Sequence, residues 1–131
     1  MENLHHLIAR LTGNYLAIAV DNHSFFVNNI PDNLPLENNS PGITSIINRI
    51  LAIVTRNVRN ACIQLSAKKH GHTTVLEIRE SGPVNGYALA SDLQHVNLLA
   101  EQMGGYLSIS LPKSETTAIA FSFPDIPSVT A

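Results

Sequence analysis

Apolar positions mark a helix at the start of the chain. Within residues 3–12, Leu4, Leu7, Ile8 and Leu11 follow the i, i+3, i+4, i+7 spacing of one helix face, and Gly13-Asn14 stops it. Two runs come next, 15–21 (YLAIAVD) and 24–30 (SFFVNNI), rich in aromatic and β-branched residues. They predict two strands joined by a tight turn at Asn22-His23. Residues 31–42 are Pro, Asn, Asp, Ser and Gly around a few leucines, the composition of a loop.

The longest apolar pattern follows. Ile43, Ile46, Ile47, Ile50, Val54, Val58, Ala61 and Leu65 recur with a period near 3.6, which predicts one helix from Ile43 to about Ser66. Leu51, Ile53 and Cys62 broaden the stripe. Lys68-Lys69 suits the negative end of a helix, and Gly71 closes the region. Residues 73–80 (TTVLEIRE) alternate as a strand does, and 81–86 (SGPVNG) read as a turn. Ser91 and Gln94 have capping-box spacing, predicting a helix from there to Met103 with Leu93, Val96, Leu99, Ala100 and Met103 inward. Gly104-Gly105 is its stop. Segments 106–112 and 116–124 predict an antiparallel hairpin, and 125–131 a loose tail. The sum is four or five strands and two main helices, most simply packed as a helix-covered sheet.

Composition narrows the classes of function. The 131 residues are the size of one domain, and 44% hydrophobic content suffices for one core. A net charge of −2, with no basic run longer than Lys68-Lys69-His70, gives no electrostatic footprint for nucleic acid. The single cysteine, Cys62, excludes an internal disulfide and reads as a small buried hydrophobe. No signal peptide and no membrane-spanning run is visible, so the expected compartment is the cytoplasm. His5-His6 sits on a helix without the acidic residue that follows kinase acceptor histidines. His70 and His72 flank Gly71 in a turn and lack a third metal ligand. No Ser-His-Asp set is assignable.

Three pieces, in order, resemble the histidine-kinase branch of the gyrase, chaperone, kinase and MutL ATPase superfamily. Residues 56–61 (Arg56-Asn57-Val58-Arg59-Asn60-Ala61) are similar to the family's asparagine box, with Asn60 at the Mg²⁺-coordinating asparagine. Glu80-Ser81-Gly82-Pro83-Val84 resembles the Asp-x-Gly-Pro-Gly turn after a strand. Residues 93–105 (LQHVNLLAEQMGG) look like the helix after the second glycine box, and 25–37 (FFVNNIPDNLPLE) like the segment before the asparagine box. The resemblance covers roughly residues 24–124. It implies an α/β (α+β) two-layer sandwich of the Bergerat type: a mixed, mostly antiparallel sheet covered by helices on one face. It also implies a nucleotide pocket holding Asn60, Glu80, Gly82, Arg56 and Asp92, with Asn60 touching a metal only if Mg-ATP binds.

The departures from that pattern predict a degenerate site. The family's acidic turn residue accepts a hydrogen bond from the adenine amino group. Glu80 is one methylene longer, displacing its carboxylate by about 1.5 Å. Val84 replaces the turn's second glycine and resists positive φ. Ala90 and Asp92 stand where the phosphate-binding glycines belong, and only Asn85 to Leu89 would form a lid. Asp92, expected in the first turn of its helix, would satisfy that positive end by roughly 0.3–1 kcal/mol and repel a triphosphate. Arg56 is placed to pair with Glu80 across an empty pocket, and Asn60 also reads as a polar helix-flank residue bonding a neighbouring loop. The expectation is therefore a degenerate module without cofactor, docking onto a receiver domain, a kinase or a phosphotransfer protein in two-component-type signalling. The alternatives are a divergent Mg-ATP-binding catalytic domain of a sensor kinase, a protein-histidine kinase if active, and a free-standing homodimer similar to anti-sigma serine kinases.

Overall fold

A computed structural model describes residues 3–38, 40–82, 86–110 and 116–126. Asn3 begins the first helix, α1 (Leu4–Gly13), by accepting a hydrogen bond from the His6 backbone N–H through its side chain at 2.9 Å. Its Nδ2 also donates to the Asp32 carbonyl, tying the cap to the following loop. Asn3→Ala removes both and is expected to cost about 1 kcal/mol, read as a shifted urea midpoint.

Then come α2 (Leu16–Asp21), β1 (Phe25–Asn28), α3 (Pro41–Asn57), β2 (Cys62–His70), β3 (Thr73–Ser81), α4 (Gly86–Gln102), β4 (Tyr106–Ser110) and β5 (Thr116–Pro124). The strands form one sheet in the order β1-β2-β3-β5-β4. The β1–β2 pair is parallel and the other three are antiparallel. Alternation along the strands turns Ile63, Leu65, Leu76, Ile78, Ile119, Phe121 and Phe123 inward, against Leu7, Ile8, Ile47, Ile50, Leu51 and Leu93 of the helices. Gln64, Ser66, Lys68 and Arg79 are exposed on the other face. The two-layer, mixed and mostly antiparallel sandwich is as the sequence predicts.

Four local expectations are corrected. Residues 16–21 are helical, not a strand: Leu16, Ile18 and Val20 are exposed and only Ala19 is buried. Alternation here reflects alanine spacing, and alanine favours helix.

The helix predicted to reach Ser66 ends at Asn57. Val58 is already extended, Asn60 takes φ +50°, and the chain enters β2. Asparagine is one of the few residues that tolerates this left-handed backbone. Cys62 is therefore the first residue of a strand and half-buried, rather than part of a helix.

α4 starts at Gly86, five residues before the expected cap, so Ser91 and Asp92 lie in its interior. The predicted tail starts too early: Asp125 is fully buried, and its N–H donates to the His72 carbonyl at 2.7 Å. Residues 127–131, the expected strand end and turn over 111–115, and Pro83, Val84 and Asn85 lie outside the described residues, whereas residues 86–89 of the expected lid, with Ala90, belong to α4.

The expected turn at His70-Gly71-His72 forms, with Gly71 at φ +62°, but it joins β2 to β3, and Lys68-Lys69 lie in β2 rather than at a helix end. The β4–β5 pairing also forms, Leu107 opposite Phe121.

Candidate functional site

α3 and α4 lie side by side on the sheet, and between them opens a cleft of about 630 Å³ lined by Arg49, Ala52, Ile53, Arg56, Asp92, His95 and Val96. Helical periodicity builds it. Positions 49, 52, 53 and 56 share one face of α3, while 92, 95 and 96 share one face of α4. Ile53 and Val96 are buried at its floor, and Arg49, Arg56, Asp92 and His95 are exposed at its rim.

Arg56 donates from Nε to the Ala52 carbonyl of its own helix at 3.2 Å. It forms no ion pair with Glu80, so the expected Arg56–Glu80 bridge is absent among the described residues. Asp92 accepts a hydrogen bond from Asn57 Nδ2 at 3.2 Å, and the same Nδ2 reaches the Ile53 carbonyl at 2.8 Å. Asn57 thus links the last turn of α3 to the middle of α4. Asp92 is not at a helix N-terminus, and the expected dipole stabilisation does not apply to it.

Asn60 is not part of this face. It stands three residues beyond α3, exposed, with its backbone N–H bonded to the Asn22 carbonyl at 2.9 Å. Gln64, which a helix continued to Ser66 would carry on the same face as Arg56 and Asn60, belongs instead to β2.

Glu80 is the last inward residue of β3, opposite Ile63 on β2 and Thr117 on β5. Its side chain points into the helix layer and is 1% exposed. Burial raises its carboxyl above the ordinary glutamate value, and the adjacent Thr117 hydroxyl and backbone N–H act in the other direction. Even so, neither carboxylate oxygen has a hydrogen bond of ordinary geometry among the described residues.

Gly82 follows at φ +149°, and a Cβ there would lie 3.0 Å from the Ala61 Cβ and from the Arg59 carbonyl. The missing side chain makes room for the α3–β2 connection. The structure therefore brings Arg56 and Asp92 together, places Glu80 and Gly82 at the neighbouring strand end, and leaves Asn60 outside.

Arg49, His95 and Asn57 were not singled out by the sequence. The available signal was the seven-residue spacing of Arg49 and Arg56, two turns apart on one face. Among the described residues no group of three or more His, Cys, Asp or Glu is placed to hold a metal ion, and no helix is long and apolar enough to cross a membrane.

The sequence matches no protein-family model and no curated protein. Solved structures are similar over nearly the whole chain. The histidine kinase from Burkholderia phymatum superposes with a TM-score of 0.77 at 11% identity, covering 95% of this chain and 70% of that one. The nucleotide-free catalytic domain of the histidine kinase ThkA gives 0.75 at 13% identity, covering 96% and 95%. ThkA in complex with the response regulator protein TrrA gives 0.71 at 15%, this chain spanning 41% of that kinase. At such identities the likeness is one of architecture: the chain has the fold of a histidine-kinase catalytic domain.

Proposed function

We propose that this chain is a kinase-fold module that acts in two-component-type signalling by docking onto another protein and does not hydrolyse ATP. One observation carries the reading. The α3 face toward the cleft offers Arg49, Ile53 and Arg56, while Asn60, the residue resembling the family's Mg²⁺ ligand, lies off the helix. Mg²⁺ takes oxygen ligands in a near-octahedral shell. A buried isoleucine between two guanidiniums supplies none. Glu80, which would accept from adenine, is closed off from solvent, and the space at Gly82 is taken by Ala61 and Arg59. These features support a site without Mg-ATP.

The partner class rests on the neighbours. ThkA has been crystallised with a response regulator, and a receiver domain is the first candidate partner of this chain, ahead of a kinase or a phosphotransfer protein.

Isothermal titration with Mg-ATP is the test. No saturable heat is expected below about 1 mM ligand, equivalent to a binding free energy weaker than about −4 kcal/mol. Micromolar binding would overturn the reading in favour of a divergent sensor-kinase catalytic domain.

A further inference from the structure

We infer that the α3–α4 cleft is the docking surface itself, and that its occupant is an acidic segment of a protein partner carrying an apolar side chain between two carboxylates. The inference rests on the docking reading above and assigns that reading a site.

The charges point to this chemistry. Arg49 makes no hydrogen bond or ion pair among the described residues, and Arg56 bonds only a carbonyl of its own helix. Both are exposed, so neither guanidinium is committed to holding the fold. A guanidinium presents its donors in a planar fork that matches a carboxylate bidentately. The one acidic group on the rim, Asp92, is opposed by both arginines, leaving the cleft with a surplus positive charge even with His95 neutral.

The shape points the same way. Residues 49 and 56 are two helical turns apart, about 10.5 Å along the axis. Ala52, Ile53 and Val96 lie between and beneath them. An apolar side chain seated on that floor would be desolvated while flanking carboxylates reach the two arginines. This is the usual division of labour in an interface, with apolar contact at the centre and charge at the rim. A cleft of about 630 Å³ holds a few side chains of a peptide.

The experiment uses a fluorescein-labelled helical peptide with two glutamates two turns apart on either side of a leucine. Anisotropy is read at low and high salt, with the glutamine version of the peptide as control. Saturable binding is expected, weakening with salt because the arginines are exposed. Arg49→Gln combined with Arg56→Gln should weaken it at least tenfold, and Asp92→Asn should tighten it about threefold by removing the opposing charge. In an NMR titration, the Nε–Hε resonances of the two arginines should shift.

No binding by the native chain, equal binding by the double variant, or shifts confined to another surface would each overturn the inference. The Mg-ATP titration on the same samples separates the two readings. Peptide binding together with nucleotide binding would leave the docking cleft standing and remove the non-hydrolysing reading. Absence of both would do the reverse.

Discussion

Asp125→Ala should lower the unfolding free energy by about 3–5 kcal/mol, the loss expected when a buried charge is removed from its hydrogen-bonding partners. Asp125 has no solvent exposure. Its Oδ1 accepts from the Glu37 and Asn38 backbone N–H groups at 2.9 and 2.7 Å, and its Oδ2 from Thr74 Oγ1 at 2.7 Å. Lys69 Nζ stands 3.6 Å from the same oxygen and bonds Glu37 at 2.7 Å. Asn38 Nδ2 completes the clasp by donating to the Pro124 carbonyl. One carboxylate therefore fastens the segment before α3 to the end of β5 and to the β2–β3 hairpin.

Alanine orphans two part-buried amides and a buried hydroxyl together. Asp125→Asn keeps one acceptor oxygen and should cost about half as much. Urea denaturation with an unchanged m-value reads the effect, and faster hydrogen exchange at Glu37 and Asn38 would localise it. A loss below about 1 kcal/mol would mean the clasp closes without contributing. The consequence extends to the cleft, because Ser40, the N-cap of α3, follows directly on this segment.

Much of this arrangement was legible in the sequence, and the failures have physical causes. The inward stripe of α4 is unambiguous because Leu93, Val96 and Ala100 fit only a helical period. β3 was equally plain from its strict alternation. The misread stretch is 58–66. Ala61 and Leu65 are four apart, a separation that satisfies periods of both 2 and 3.6, so they extend the helical stripe although Ala61 stands just before β2 and Leu65 within it, in phase with Ile63.

What breaks the ambiguity is Asn60, whose left-handed backbone is a local preference too weak to outvote a long apolar pattern. That single misplacement moved the candidate metal ligand from the helix face to a turn. The Asp125 clasp was hidden for a different reason: its partners at positions 37, 38, 69 and 74 are distant in sequence and share no motif. Arg49 escaped notice because its meaning depends on α4 lying opposite, which the pattern of α3 alone does not encode.

Glu80 is the other position where a large effect is expected, and with the opposite sign. A buried acceptor without a hydrogen bond costs about 1–3 kcal/mol. Glu80→Met, apolar and of similar length, should therefore stabilise the protein by about 2 kcal/mol near neutral pH. Glu80→Gln should gain less, since its amide is also left to find partners.

The pH dependence follows from the direction of the shift. The folded-state pKa is raised by burial, so at low pH both states carry the proton and the contribution of Glu80 to stability is at its most favourable. As pH climbs past the ordinary glutamate value, the unfolded chain releases its proton first. The Glu80 contribution then falls until the folded carboxyl ionises as well, and is flat beyond. The Glu80→Met protein should lack that decline, so the difference between the two proteins grows with pH across this window. A constant difference, or a Glu80→Met protein less stable than the native chain at pH 7, would show that Glu80 is satisfied in solution by a partner.

The same variant also bears on function. A docking module carrying Glu80→Met should bind the acidic peptide as the native chain does, because Glu80 does not line the α3–α4 cleft. A nucleotide-binding domain should instead lose whatever protection ATP confers against thermal unfolding. The cost of keeping an unpaired carboxyl in the core is thus a direct probe of whether any ligand still uses it.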